Sequence, residues 1–324
     1  MAVASAPGKV ILFGEHAVVY PGHIGIAAAI GKRAVVRAEK SKNGKCSISS
    51  ELGYCEFGQD CFETAQLDSD WSTPHKKILA EIFEQHRYMP LKIEINSDVR
   101  PRSHLGSGSS VYAALSYAVL AELVGAAPDL QKVSELAYAG DVIAHGGKPS
   151  GIDSSAVTYG GLLKFTKSVG HGHDSFEFIK LNYDLELLIC DSGEYSKTRK
   201  MIGLVESNLK ENPGLHAELD DTYDLAIGGL EALRARNFGA AGRAMFANQK
   251  ILAKLGVSTS KIDDIVQTAM GAGAYGAKLT GAGGGGCVVI LADDYSGVEK
   301  ALAAAGYNSF FKAKLGAEGV KLGE

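Results

Sequence analysis

Apolar residues follow two different spacings along this chain, and the switches between them outline its elements. Short β-branched runs at Val10–Phe13, Ile26–Ile30 and Ala34–Glu39 predict strands, with Pro21-Gly22 as the turn between the first two. Polar, glycine-bearing sequence from Ser41 to Thr73 predicts hairpins and loops. His75–His86 carries apolar residues at helical spacing, and Leu91–Ile95 alternates as a strand does. Helices are expected over Ser109–Val124 and Leu130–His145, then a short strand pair over Ser154–Phe165. The pattern restarts with a strand at Leu185–Cys190, followed by helices at Lys197–Lys210, His216–Ala235, Phe238–Leu255 and Ser260–Gly271. A strand at Gly286–Leu291 and a terminal helix and strand complete the chain. The break near Phe176–Asp184 predicts two domains, 1–180 and 181–324, of mixed α+β type.

Composition changes this picture little. The 324 residues are 46% apolar and 22% charged, which suits a globular protein with sizeable cores. A formal charge of −4 argues against a broad nucleic-acid or anionic-membrane footprint, while leaving room for a local basic pocket. No apolar run is long enough to cross a membrane without interruption by glycine or charge. Five cysteines form no CxxC pair and no signal-peptide pattern opens the chain, so free thiols in a cytoplasmic setting are expected. Cys46, Cys55 and Cys61 fit no zinc spacing. The one excess is glycine, 40 residues that cluster rather than scatter and so mark loops of special backbone geometry.

Four segments carry candidate chemistry. In Arg100–Tyr112, a Gly/Ser loop follows a strand and runs into a helix, which aims free backbone N–H groups and a helix dipole at one small volume. Phosphate suits such a volume, although no Lys-Ser/Thr follows as in a Walker A loop. The run Ser5–His16 sets Lys9 at one end of a buried strand and Glu15-His16 at the other. Lysine offers a point charge for phosphate or an ionising hydroxyl, and Glu15 and His16 can bond a polyol or hydroxy acid; a solvated lysine and a turn-capping pair are the alternative. Asp153, between a glycine turn and two serines, can accept a proton from an alcohol or simply cap a helix. Upstream, Asp141 and His145 share a helix face, where the carboxylate can hold Mg²⁺ or merely face solvent. Five glycines within 281–286 supply no side chains to pack, and that excess over the needs of a tight turn points to close approach of a ligand.

Together these pieces resemble the GHMP kinase superfamily, most like its mevalonate kinase family. The resemblance rests on S-A-P-G-K-V-I-L-F-G-E-H-A-V-V-Y at 5–20, K-P-S-G-I-D at 148–153, Asn248-Gln249 followed by Leu255-Gly256-Val257-Ser258, and K-L-T-G-A-G-G-G-G-C at 278–287. It implies a GHMP kinase fold of α+β class, with a ribosomal-S5-like N-terminal domain, a ferredoxin-like C-terminal domain and the active site between them. It also implies ATP-dependent phosphorylation of mevalonate at its C5 hydroxyl, with Mg²⁺ as cofactor, small-molecule partners only, no nucleic acid or membrane partner, and a homodimer possible. By position, Asp153 matches the catalytic aspartate and Lys9 the lysine supporting it. Glu15, His16 and Thr198 fall on the substrate side, with Ser196 in the same flanking segment. Leu105, Gly106, Ser107, Gly108, Ser109 and Ser110 match the ATP-phosphate loop, Gly281 and Gly283 the third motif beside it, and Ser110 and Asp141 the metal site. Two departures stand out: His104 and Ser107 occupy positions that are usually glycine and leucine, and the family's metal-binding glutamate falls on Val142, one residue from Asp141. Phosphomevalonate kinase, mevalonate 3-kinase and decarboxylase relatives remain alternatives, with Arg100, Arg102, Lys148 and Arg199 as candidate extra cations. So does a non-catalytic sensor of the same fold.

Overall fold

Ala2–Phe13 forms strand β1, and almost its whole length pairs antiparallel with Ile24–Lys40, β2. In the computed structural model, which describes residues 1–60, 71–147, 149–168 and 174–323, this long hairpin is the spine of an eight-stranded sheet. The predicted strands 26–30 and 34–39 are one strand, because a bulge absorbs the polar residues between them. Pro7 faces Arg33 and Gly8 faces Ile30, which leaves Gly31 and Lys32 as extra residues on β2. Beyond the bulge, the half of β2 that carries Ala34, Val36 and Ala38 pairs with β5 (Leu91–Ser97). The hairpin β3–β4 (Cys46–Ser50, Gly53–Phe57) extends the sheet past β5. The other half of β2 pairs with β6 (Leu162–Thr166), which in turn pairs with β7 (Ser175–Ile179).

Among the described residues four helices of eight residues or more accompany this sheet: α1 (Thr73–Gln85), α2 (Ser107–Val124), α3 (Leu130–His145) and α4 (Ile152–Tyr159). Helix α2 is apolar nearly all round and buried from Ser109 to Ala121, as expected of a helix enclosed on all sides rather than lying on a surface. Its residues join Ala4, Ala34, Val36, Ile93 and the inner faces of α1 and α3 in one cluster. Helix α4 stands where a strand pair is predicted. Gly151 in the left-handed conformation opens the helix at Ile152, and Gly160 and Gly161, both at positive φ, end it before β6.

The remaining chain builds a four-stranded antiparallel sheet in the order β11-β8-β10-β9, from Phe310–Lys314, Glu186–Asp191, Cys287–Leu291 and Gly276–Leu279. Helices α5 (Thr198–Glu211), α6 (Leu215–Arg234), α7 (Phe238–Lys254) and α8 (Ser260–Gly271) connect β8 to β9. Helix α9 (Tyr295–Ala304) connects β10 to β11. Numbered by sequence within this sheet the order is 4-1-3-2, the ferredoxin-like arrangement. Strand β9 is buried at every position and shows no alternation, which is why pattern reading passes over it. The last strand, β12 (Lys321–Leu322), returns to pair with β1 in the first sheet. A continuous apolar cluster joins Val10, Leu12 and Phe13 of β1 to Leu187, Ile189, Val289, Leu230 and Met245, so the two sheets share one buried boundary.

Candidate active site

A cleft of about 1490 Å³ opens where β1 ends, where α2, α4 and α5 begin, and where the loop from β9 to β10 crosses. Lys9 sits on its wall because β1 is covered on both sides, and its ammonium is tied to Asp153 Oδ1 at 3.1 Å and to the His104 carbonyl at 3.2 Å. The lysine side chain is 2% exposed and the aspartate 23%, so the carboxylate is the more open member of the pair. Asp153 lies in the first turn of α4, where the helix dipole favours a negative charge.

At the start of α2, Gly106 takes a left-handed conformation and no side chain caps the helix. Its first amides are therefore open toward the cleft, which Gly106, Ser107, Gly108 and Ser109 line. Behind them Asp141 is 1% exposed and accepts hydrogen bonds from the Ser109 hydroxyl at 2.8 and 2.9 Å on its two oxygens. Burial, and the charge of Asp153, push its carboxyl well above the usual range. No cation pairs with it among the described residues. A bound divalent ion would offset that burial, and a carboxylate with a hydroxyl is the hard-oxygen set Mg²⁺ accepts alongside substrate oxygens. Among the described residues no group of three or more His, Cys, Asp or Glu forms a self-sufficient metal cage. The hydroxyl that meets Asp141 belongs to Ser109. That of Ser110, the residue expected at the metal, donates to the Ser107 carbonyl at 3.0 Å, and Ser110 is fully buried.

Glu15 and His16 face the cleft from the end of β1, anchored by β9 and by the loop that follows it. Lys278 donates to Glu15 Oε1, and His16 donates from Nε2 to the Ala282 carbonyl at 2.9 Å. Burial lowers the His16 pKa, so the ring is neutral with its Nε2 proton fixed by that carbonyl. Thr198, the first residue of α5, and Gly281 also line the cleft. Leu105, Ser110 and Gly283 do not: the Leu105 carbonyl accepts the Lys9 amide at 2.8 Å, and the Gly283 carbonyl accepts the Ser196 hydroxyl at 2.5 Å.

His104 is buried with φ of 62°, and the glycine loop closes around it. A Cβ on Gly286 would lie 2.3 Å from its ring, and one on Gly281 2.8 Å from its Cβ. The Ser196 hydroxyl gives its proton to Gly283, so the 3.3 Å contact with His104 requires the ring to donate from Nε2. Burial, with Lys9 adding to it, lowers the His104 pKa to about 4. The other glycines of the loop are packed as closely. A Cβ at 283, 284 or 285 would meet Val257 O, Met201 Sδ or Glu194 O at 2.2–2.3 Å, and each residue sits at positive φ. Packing therefore accounts for the glycine excess that the sequence suggested was left for a ligand, and only the front of the loop reaches the cleft.

Sequence reasoning missed the far wall of the cleft, where Trp71, His75 and Tyr112 stack edge to face. It also passed over Lys278, whose period-two spacing with Thr280 and Ala282 was the available signal. Arg100 is paired with Asp191 at 3.0 Å, while Arg102 and Arg199 border the cleft. Lys148 and Cys61 lie outside the described residues.

Residues 75–161 match the family described as GHMP kinases N terminal domain, and 230–309 that described as GHMP kinases C terminal. The mevalonate kinase of Aeropyrum pernix is 35% identical over 99% of this chain and 98% of its own length. That of Thermococcus sibiricus is 32% identical over 90% and 89%. The chain belongs to the mevalonate kinase family of GHMP kinases. Its fold agrees: the L. major mevalonate kinase solved in complex with R-mevalonate superposes with a TM-score of 0.77, at 27% identity over 97% of this chain and 96% of that one. For a mevalonate kinase family member, the histidine in the Gly/Ser loop is a departure with a structural home, seated between the loop and the glycines of 281–286.

Proposed function

We propose that this protein is a mevalonate kinase, transferring the terminal phosphoryl group of ATP to the C5 hydroxyl of (R)-mevalonate. The observation that carries the reading is the Lys9–Asp153 pair at the mouth of α4, facing the uncapped start of α2 across one cleft. Asp153 is placed to take the proton of an acceptor hydroxyl. Lys9 then offsets negative charge on that oxygen and on the transferring group. The amides of residues 107–109 are suited to phosphate oxygens, which holds donor and acceptor in line; positioning and charge neutralisation are what phosphoryl transfer requires of a protein. Glu15, His16 and Thr198 form the acceptor side.

Asp141 with the Ser109 hydroxyl would hold Mg²⁺, which supplies charge neutralisation at the nucleotide phosphates when bound. The division into domains 1–180 and 181–324 belongs to the same proposal; the second sheet, within 186–314, supports it, while β12 returns to the first. A cytoplasmic location fits the family, and no helix among the described residues is long and apolar enough to cross a membrane.

The test is an ADP-release assay with ATP, Mg²⁺ and mevalonate, run beside 5-phosphomevalonate and homoserine, with phosphorus NMR of the product. Turnover of mevalonate to a 5-phosphate is expected. Turnover of 5-phosphomevalonate alone, or a 3-phosphate product, would move the specificity to another branch of the superfamily, and ATP binding without turnover of any substrate would favour a sensor.

A further inference from the structure

Lys278, Thr280 and Ala282 recur with a period of two, and each holds a different point near the end of β1. The Ile11 amide donates to the Thr280 hydroxyl at 2.7 Å, His16 donates to the Ala282 carbonyl, and Lys278 donates to Glu15 Oε1. The Lys278 and Glu15 side chains are 0% and 1% exposed, and the ammonium also donates to the Leu279 carbonyl at 2.8 Å. Glu15 Oε2 is buried and accepts no hydrogen bond, although Glu15 borders the cleft. A buried acceptor without a donor costs free energy, so its place beside a substrate cleft marks it as the partner of something that binds there.

We propose that Lys278 is a positioning residue of the acceptor site: it engages Glu15 through Oε1 alone and leaves Oε2 for a hydroxyl of mevalonate. The proposal rests on the reading of Glu15 as an acceptor-side residue. Burial pushes the Glu15 carboxyl toward its neutral form, and Lys278 opposes this most strongly. The Glu15 amide and Lys9, on β1 itself, oppose it less. The adjacent His16 is held neutral by burial and adds no charge. Removing the ammonium takes away the strongest opposition to burial and leaves only the Glu15 amide and Lys9. The carboxyl is then driven further toward its neutral form.

Steady-state kinetics of the wild type, Lys278→Met, Lys278→Arg and Glu15→Gln across pH test this. For Lys278→Met the KM for mevalonate should rise about tenfold while that for ATP stays within about twofold. The acid limb of its kcat/KM profile for mevalonate should move up by about one pH unit or more. Lys278→Arg should return that limb to its wild-type position. Equal rises in both KM values, or a Lys278→Met profile parallel to the wild type, would overturn the proposal. Glu15→Gln separates the two levels. An unchanged KM for mevalonate would sink the acceptor-side reading of Glu15, whereas a raised KM there with none in Lys278→Met would sink only the role given to Lys278. If Lys278→Met does not fold, Glu15→Gln/Lys278→Met should match Glu15→Gln in KM for mevalonate within about twofold, and a further tenfold loss would overturn the idea.

Discussion

Asp153 and Lys9, the proposed catalytic pair, differ in how far they open to the cleft that both line. Replacing Asp153 by Asn removes the proton acceptor and keeps the shape, so kcat should fall by about 10²–10⁴ while the dissociation constant for ATP changes by less than about threefold. Rapid-quench turnover and equilibrium nucleotide binding check this, and equal losses in both would remove Asp153 from the chemistry. His104 makes a second prediction, about pH. In the folded protein it takes up a proton near pH 4, whereas its ordinary value is 6.5. Between those values the unfolded chain binds the extra proton. Stability is therefore complete above pH 6.5 and is lost as pH falls toward 4, by about 2 kcal/mol at pH 5. Burial lowers His16 and His145 as well, which adds in the same direction. Urea unfolding at pH 7.5 and pH 5 should show a smaller loss for His104→Gln than for the wild type. An identical loss would mean that other groups carry the acid sensitivity.

Elements whose ends are written in side chains were legible, and those set by packing were not. Helices α3 and α8 match their predicted spans because Asp129 and Thr259 cap them, accepting from the amides of Gln131 and Ile262. Strand β9 and helix α4 were missed or misread because full burial erased the alternation of one and glycines outside the pattern framed the other. The site shows the same division: Lys9, Glu15, His16, Asp153 and the Gly/Ser loop carry motif chemistry, while the Lys278 contact depends on how β9 lies against β1. What fixes β9 is an approach to α7 so close that glycine is required on both sides. A Cβ on Gly242 would lie 2.2 Å from the Tyr275 carbonyl, and one on Gly276 2.2 Å from that of Gly242. By helix propensity Gly242→Ala should stabilise α7 by about 1 kcal/mol. Forced apart from β9, it should instead destabilise the protein by about 1–3 kcal/mol net. The KM for mevalonate should rise with it, since β9 carries Lys278. Thermal melts and kinetics of this one variant decide the matter, and a raised melting temperature would show that the contact can relax.

At the scale of the whole molecule, the two sheets are separate as strand ladders and joined in almost everything else. The Thr280 hydroxyl bonds both the amide and the carbonyl of Ile11, Arg33 donates to the carbonyls of Glu318 and Gly319, and β12 adds the last strand to the first sheet. The apolar residues at the end of β1 are buried against the second sheet and its helices, with Gly229 leaving room for the Phe13 ring. A fragment ending at residue 180 would lose β12 and expose Val10, Leu12 and Phe13 together. Such a fragment should therefore lack fixed tertiary packing, and the full chain should unfold in one cooperative step even though it contains two sheets. The residues themselves supply a probe on each side: the single tryptophan, Trp71, packs against the first core, while Cys190 and Cys287 are buried strand residues of the second sheet. Burial also holds both thiols in their unreactive form. Tryptophan fluorescence and thiol labelling followed through one urea titration should give the same midpoint. Labelling of Cys190 and Cys287 well before the fluorescence changes would mean that the second sheet opens on its own, and that Glu15 and His16, held by β9 and the loop after it, can be released without unfolding the first sheet.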